Sequence, residues 1–252
     1  MARGEAERGV EVGSWLESMP AVYRGAFDAE TVAVHAAIVA RRGGRPCWVE
    51  AFREDADRTL ALCVVADDQP GLVSRISAAL VSEALDVLDA HAYTRTREDG
   101  ALEAVDFFWV RRYDPRGHAV ALRTPDVDDI ADAITALVTG ATAPEEAHAH
   151  PRVPTPPPPP VEAGSVRVKF ERDAGAVVLT VQAPDRPGLL LALTQTLFRA
   201  DVQIVGLRAR SGGGAATDRF TLAELDGTSL SDERMRALQP LVFEAIASTL
   251  AG

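Results

Sequence analysis

The chain has little basic charge, and this scarcity limits the partners that it suits. Its 26 lysines and arginines are outnumbered by 37 aspartates and glutamates, so the formal net charge is −11. Nucleic acids and anionic lipid surfaces are bound by basic protein surfaces. We therefore expect neither a nucleic acid nor a membrane as a partner.

Lysine, cysteine and long apolar runs are also scarce. Lys169 is the only lysine and lies between Val168 and Phe170, which excludes a P-loop, since the lysine of a P-loop follows a glycine. The only two cysteines, Cys47 and Cys63, lie in apolar, strand-like runs, which favours buried thiols over a disulfide framework. Because no 18-residue apolar run and no N-terminal signal segment occurs, we expect a cytoplasmic protein.

Several catalytic patterns are absent as well. None of the five histidines is followed by aspartate, so the His-Asp pair that binds metal in one class of hydrolases does not occur. Gly43-Gly44 with Asp55 and Asp57 has the spacing of a nucleotidyltransferase metal site. However, residues 47–52 are strand-like, where that site requires a helix. No Gly-x-Ser-x-Gly stretch occurs. We predict a non-enzymatic protein with no catalytic residue, no metal site and no cofactor.

What the chain does contain is the same unit twice. The stretch Ala-Asp-Asp-Gln-Pro-Gly-Leu at 66–72 recurs 117 residues later, at 183–189, as Ala-Pro-Asp-Arg-Pro-Gly-Leu. Further along, residues 105–110 align with 217–222 at an offset of 112. Internal repetition of this kind determines the architecture, and it predicts two homologous modules of about 90 residues each.

Each copy predicts the same order of elements, β-β-α-β-β-α. In the first copy we predict strands at 47–52, 59–66, 86–96 and 102–112, and helices at 71–84 and 126–138. In the second copy we predict strands at 166–171, 176–183, 203–210 and 217–225, and helices at 188–200 and from Ser231 onward. This order predicts an α+β fold of two ferredoxin-like domains, each with a four-stranded antiparallel sheet and two helices on one face. The strand preceding each copy is inferred to fill the place of the missing last strand.

Four segments follow along the chain. Residues 1–45 form a tail and a helical extension, in which Asp28 can cap the second helix. Residues 46–139 form the first domain, and 164–252 form the second. Residues 140–163 form a linker whose stretch from Pro154 to Pro160 contains six prolines. This composition is typical of a semi-rigid polyproline spacer; a ligand for an SH3-type domain is the alternative.

The repeated loop is the strongest candidate site. In the first copy Asp68 can cap the following helix, Pro70 fits its first turn, and Gly71 lets a ligand approach the backbone closely. Unpaired amides and the helix dipole favour a carboxylate there, and an amino acid supplies one. The alternative is a well-capped turn without a ligand.

Both copies resemble ACT domains, the small-molecule-sensing modules of amino-acid metabolism. The stretch Asp-Arg-Pro-Gly-Leu-Leu at 185–190 carries most of this resemblance. Over residues 14–250, apart from the linker, the chain is similar to the C-terminal tandem ACT region of the bifunctional uridylyltransferase/uridylyl-removing enzyme that modifies the PII signalling protein. The segment joining that enzyme's hydrolase domain to its ACT pair is similar to the stretch with Met19, Pro20, Tyr23, Asp28, Glu30 and His35.

The resemblance implies an amino-acid sensor in nitrogen or amino-acid regulation, with glutamine the favoured effector, bound where ACT modules pair. It implies that the loop of each copy acts with the start of the next strand of the same copy. The residues at these positions are Asp68, Gln69, Gly71, Leu72, Asp86 and Val87, and then Asp185, Arg186, Gly188, Leu189, Gln203 and Ile204. The chain departs from the family at Gln69, where arginine is usual, and at Asp86 and Gln203, where asparagine is usual.

Protein partners follow from the same reasoning. Two exposed sheet edges favour a homodimer, and a sensor requires a catalytic or signalling protein as its output. Three alternatives remain open: a C-terminal fragment or split subunit of a PII uridylyltransferase, a dimerisation scaffold without a ligand, and a divergent enzyme.

Overall fold

The structure is a computed structural model that describes residues 12–142 and 166–251. The predicted tail before residue 12 and linker residues 143–163 lie outside the described residues. No helix in the described part of the chain is both long and apolar enough to cross a membrane.

The N-terminal extension is helical in three short pieces: α1 at residues 12–18, α2 at Ala21–Arg24 and α3 at Ala29–Arg42. The predicted cap of α3 is confirmed, because the backbone N–H of Thr31 donates to Asp28 Oδ1 at 2.8 Å. The helix ends at Gly43, whose φ of 55° is in the left-handed region that favours glycine.

The repeated unit then gives the predicted elements in the predicted order. The first copy comprises β1 Cys47–Glu54, β2 Leu60–Asp67, α4 Leu72–Ser82, β3 Leu85–Thr96, β4 Leu102–Tyr113, β5 Ala119–Val120 and α5 Thr124–Val138. The second copy comprises β6 Arg167–Asp173, β7 Ala176–Pro184, α6 Leu189–Arg199, β8 Val202–Gly212, β9 Ala215–Glu224 and α7 Asp232–Ala251. The two-residue strand β5 was not predicted.

The α+β class and the antiparallel sheet are confirmed, but the two copies share one sheet. Its strand order is β1-β2-β4-β3-β8-β9-β7-β6, with β5 paired to β4. The strand preceding each copy, β1 or β6, lies at an outer edge beside β2 or β7. Each copy contributes four strands to this order, β1-β2-β4-β3 and β8-β9-β7-β6. Pairing β3 with β8 satisfies the backbone groups that two separate sheets would leave unpaired at their inner edges.

The join between the copies is symmetric. Asp89 pairs with Arg210, and Tyr93 pairs with Gly206. At the repeat offset of 117, Asp89 aligns with Gly206 and Tyr93 aligns with Arg210, so the repeat relates one pair to the other. The centre of this relation is the pair His91 and Arg208, where the guanidinium donates to His91 Nδ1 at 3.1 Å. An approximate two-fold axis therefore passes between β3 and β8.

One face of the sheet carries a continuous apolar core beneath α4, α5, α6 and α7. On the opposite face, α1, α2 and α3 cover the first copy through a second cluster that includes Trp15, Tyr23, Ile38 and Phe107. A buried ion-pair network ties the extension to the sheet. Glu103 accepts from Arg42 at 2.5 Å and from Arg95 at 2.6 Å, which joins α3, β3 and β4.

Candidate functional site

The two repeated loops have the same backbone geometry. Gly71 and Gly188 precede the first residues of α4 and α6 with φ of 77° and 80°. Such left-handed values favour glycine and explain its presence at both positions. Neither helix has a side-chain cap, so the prediction that Asp68 caps α4 was wrong. Its carboxylate instead accepts from Thr94 Oγ1 at 3.0 Å, which leaves the first-turn amides of the helix uncapped by that side chain.

Each loop faces a strand of the other copy and forms a cavity with it. The first, named here the Gly71 cavity, combines the first-copy loop with the start of β8, and the predicted residues lining it are Asp68, Gln69, Gly71, Leu72, Gln203 and Ile204. The second, the Gly188 cavity, combines the second-copy loop with the start of β3, and the predicted residues lining it are Asp185, Arg186, Gly188, Leu189, Asp86 and Val87.

The sequence analysis grouped each loop with the strand of its own copy, and the structure corrects this grouping. Within the first copy, β4 separates β2 from β3, so the loop after β2 lies away from the start of β3. The antiparallel join of β3 and β8 brings the start of each of these strands to the other copy's loop. Both cavities therefore require both copies.

The cavities are small in this conformation. The Gly71 cavity encloses about 20 Å³ and the Gly188 cavity about 30 Å³, which is room for roughly one to three water molecules. An amino acid is larger, so its binding requires the surrounding side chains to move apart.

The Gly71 cavity is lined by hydrogen-bond acceptors. Asp106 is only 1% exposed, and its Oδ1 accepts from the backbone N–H of Tyr93 at 3.2 Å. Its Oδ2 and the Oε1 of Gln203 are buried with no hydrogen-bond partner in the described part of the chain. Burial raises the pKa of Asp106 well above its usual value, and the charge of Asp68 adds to this. Burial also raises the pKa of Asp68.

The Gly188 cavity gathers three carboxyl groups, from Asp86, Asp185 and Asp218. Burial raises the pKa of Asp218 to about 7 and that of Asp86 to about 6, and the charge of Asp185 contributes to both shifts. Ser77 is 2% exposed, and its Oγ has no partner among the described residues. Arg186 also lines the cavity and donates to the backbone oxygen of Asp185 at 3.1 Å. Acceptors of this kind suit an ammonium group.

Sequence reasoning missed several residues of the two cavities, although the repeat contained a signal for them. Asp106 and Asp218 occupy aligned positions, each a carboxylate inside an apolar strand. Other aligned pairs that line the cavities include Thr94 with Ser211, Ser77 with Thr194, and Val81 with Phe198. Ser77 of the first copy lines the Gly188 cavity, and Thr194 of the second copy lines the Gly71 cavity. Each cavity therefore also includes a helix residue from the copy that does not supply its loop.

The motifs that suggested other chemistry lie elsewhere. Gly43-Gly44 follows α3, and Asp55 and Asp57 lie in the turn between β1 and β2, as the sequence analysis expected. Across residues 12–142 and 166–251, no group of three or more histidine, cysteine or acidic residues could hold a metal ion. The prediction of buried free thiols at Cys47 and Cys63 is confirmed.

The N-terminal motif residues form part of the packing of the extension against the sheet. Tyr23 and His35 are both fully buried, and the Tyr23 hydroxyl lies 2.9 Å from His35 Nδ1. Met19 is buried in the same apolar cluster as Tyr23. Burial lowers the pKa of His35 to about 3, so this imidazole stays neutral near pH 7 and serves the packing of α2 on α3.

Comparison with known proteins confirms the predicted resemblance to one enzyme. The bifunctional uridylyltransferase/uridylyl-removing enzyme of Rhodospirillum rubrum is 28% identical over 208 residues, which is 81% of this chain and 22% of the relative. The enzyme of Phenylobacterium zucineum is 26% identical over 94% of this chain and 25% of its own length. That of Azospirillum brasilense is 28% identical over 90% of this chain and 24% of its own length. The chain thus spans about a quarter of these relatives.

A scan against protein-family models finds no match. Among solved structures, an aspartate kinase from Synechocystis overlaps 73% of this chain and 27% of its own length, with a TM-score of 0.38 and 17% identity.

Proposed function

We propose that this chain is a cytoplasmic, amino-acid-sensing regulatory module built of two ACT-type, ferredoxin-like domains, and that glutamine is its effector. The observation that carries the proposal is the pair of cavities between the copies. Each combines an uncapped helix start, a left-handed glycine and buried carboxyl groups. The similarity to a uridylyltransferase supports a role in regulation of nitrogen metabolism.

The chemistry of an amino acid matches the two ends of such a cavity. Its carboxylate would accept from the first-turn amides of α6, where the helix dipole favours negative charge. Its ammonium group would donate to Asp185, Asp218 and Asp86, whose pKa values are raised chiefly by burial, with the charge of Asp185 adding to the shifts of Asp218 and Asp86. The ligand thus replaces protons on these carboxyl groups.

Regulation would follow from the position of the cavity. A ligand that contacts both the second-copy loop and β3 of the first copy stabilises the arrangement in which these parts are correctly spaced. The sensor would pass this preference to a catalytic or signalling partner, or to a second copy of the chain, as a coupling free energy.

The test is the thermal unfolding of the purified chain in the presence of each of the twenty amino acids. Binding to the folded state alone raises its stability by roughly 2.7 kcal/mol at 100 times the dissociation constant. We expect a selective rise in melting temperature with L-glutamine. The absence of a shift with any amino acid would overturn the sensor and favour a dimerisation scaffold without a ligand.

A matched pair of variants locates the effect. Gly188→Asp places a carboxylate where the ligand's own carboxylate would lie, and we expect it to abolish the glutamine shift. Gly175→Asp is the control, because Gly175 has a similar φ of 88° and open surroundings but lies in the hairpin between β6 and β7. It adds the same charge and backbone strain and should retain the shift. Equal shifts in both variants would place the ligand elsewhere.

A second candidate rests on chain length. Because the relatives are about four times longer than the matched part, we also propose that the module works with a nucleotidyltransferase–hydrolase chain, as a split subunit or as a piece of a longer enzyme. Mixing the chain with such a catalytic chain should make uridylyl transfer to the PII protein depend on glutamine. Activity that is identical with and without this module would contradict that role.

A further inference from the structure

The two cavities differ in what lies above their glycines. A Cβ atom on Gly71 would lie 2.7 Å from Cδ2 and 2.8 Å from Cε2 of Phe198, well inside van der Waals contact. A Cβ atom on Gly188 would have no atom within 4 Å. The phenyl ring therefore occupies the space through which a ligand would approach the Gly71 backbone, whereas the approach to Gly188 is clear.

The repeat identifies the residue that causes this difference. Phe198 lies 117 positions after Val81, and each of the two side chains lines one of the cavities, Phe198 the Gly71 cavity and Val81 the Gly188 cavity. The approximate two-fold axis thus places a phenyl ring and an isopropyl group at equivalent points. Valine is too short to extend over the opposite glycine as phenylalanine does.

Hydrogen bonding does not separate the two cavities. In the Gly71 loop, Gln69 Nε2 donates to the backbone oxygen of Val138 at 3.1 Å, and Arg186 of the Gly188 loop donates to the backbone oxygen of Asp185. Among the described residues, Asp106 Oδ2 and Gln203 Oε1 are buried without a partner in the Gly71 cavity, as Ser77 Oγ is in the Gly188 cavity. Since each cavity holds buried groups whose free-energy cost a ligand would recover, the position of Phe198 is what distinguishes them.

We infer that the chain binds one amino acid, in the Gly188 cavity, and that Phe198 excludes a second one from the Gly71 cavity. This inference rests on the proposed function and adds the number of amino acids bound per chain and the residue that limits that number. The ligand class is an amino acid with free carboxylate and ammonium groups. With Phe198 in place, the backbone of Gly71 is covered by the phenyl ring.

The experiment is a reciprocal exchange at the two equivalent positions, with binding of L-glutamine followed by isothermal titration calorimetry. The wild-type chain should bind one molecule per chain. Phe198→Val should bind two, because valine then occupies both equivalent positions and neither glycine is covered. Val81→Phe should bind none, or bind at least about tenfold more weakly, since the ring then closes the Gly188 cavity as well.

Folding and the two hypotheses are kept separate by controls. Phe198 is 39% exposed, so its shortening should leave the fold intact, and circular dichroism of each variant checks this. If Val81→Phe does not fold, Val81→Met supplies the longer side chain at lower cost in packing. Two molecules per wild-type chain, or one in Phe198→Val, would overturn the inference and leave the sensor standing. No binding of glutamine in any variant would overturn the proposed function itself.

Discussion

In the first copy, the sheet face turned away from α4 and α5 carries Phe107 and Tyr93, both buried under the N-terminal helices. The aligned positions of the second copy hold Arg219 and Arg210, which are exposed. An antiparallel sheet tolerates either arrangement, because only one of its faces must be covered. The N-terminal helices therefore pack on the first copy only. The same repeated unit folds with both sheet faces covered in the first copy and with one face covered in the second.

The join shows a different kind of divergence. The approximate two-fold axis keeps the glycine, the loop aspartate and the strand aspartate in both cavities. Where the Gly71 cavity has Gln69, Gln203 and Phe198, the Gly188 cavity has Arg186, Asp86 and Val81 at the equivalent positions. The shared residues are those that backbone geometry and ammonium binding would need, and the exchanged ones line the access and set the charge. The two cavities therefore share a backbone framework and differ in how freely a ligand could reach the glycine.

The largest change in stability is expected when a buried aromatic residue on the covered face of the first copy is replaced by the arginine found at the aligned, exposed position of the second copy. Phe107→Arg places a charge in a fully buried aromatic cluster, and we expect the free energy of unfolding to fall by about 4 kcal/mol or more. Urea denaturation measures this change. The reciprocal control, Arg219→Phe, lies on an exposed face and should change stability by less than about 1 kcal/mol. Similar losses in both variants would contradict the assigned difference between the faces.

A smaller loss is expected from the ion pairs that hold the extension. Glu103→Gln leaves the Arg42 guanidinium, which is almost fully buried, with reduced compensation, and we expect a loss of about 3 kcal/mol. Hydrogen exchange should accelerate first in α3, which the network ties to β4. The control Glu171→Gln removes an exposed partner of Lys169 and should leave stability unchanged, as is usual for surface pairs. Unaltered exchange in α3 would count against the network as its anchor.

The smallest effect expected is a change in the pH dependence of stability. Burial raises the pKa of Asp218 to about 7, so the folded state holds this proton more tightly than the unfolded state. The stability that it contributes is present below about pH 4 and is lost as the pH rises through about 7. Asp218→Asn should therefore match the wild type near pH 4 and be the more stable of the two near pH 8.

The counterpart in the first copy sharpens this comparison. Asp106→Asn should change stability in the same direction, because burial also raises the pKa of Asp106. Urea midpoints at the two pH values measure both variants. A wild-type chain that is more stable near pH 8 than Asp218→Asn would refute the assignment of a costly buried charge.

Much of the local structure was predictable because it depends on short-range patterns. The strands and helices of both copies appear where hydrophobic periodicity indicated them, and the cap at Asp28 forms as predicted. Ser231, where the last helix was expected to begin, accepts from the backbone N–H of Arg234. The strand preceding each copy occupies the outer position inferred for it. All twelve proposed site residues line one of the two cavities, although their role in binding stays a prediction.

Other features could not be found in this way. The cap predicted at Asp68 depended on local spacing, but this carboxylate instead accepts from the hydroxyl of Thr94, which lies in β3. The strand β5 has only two residues, too few to give a periodic signal. The obstruction by Phe198 depends on the packing of α6 across the join, which no spacing along the chain reports.

The elements, the repetition and the glycine positions of the loops could be predicted from the order of residues alone, because helix periods, strand alternation and left-handed glycines are properties of neighbouring residues. Only the tertiary structure decided which loop meets which strand, since the pairing of β3 with β8 joins residues about 117 positions apart. That single pairing moves Asp86 to the loop of Gly188 and Gln203 to the loop of Gly71. It also sets Phe198 over Gly71, whereas a Cβ atom on Gly188 would have no atom within 4 Å.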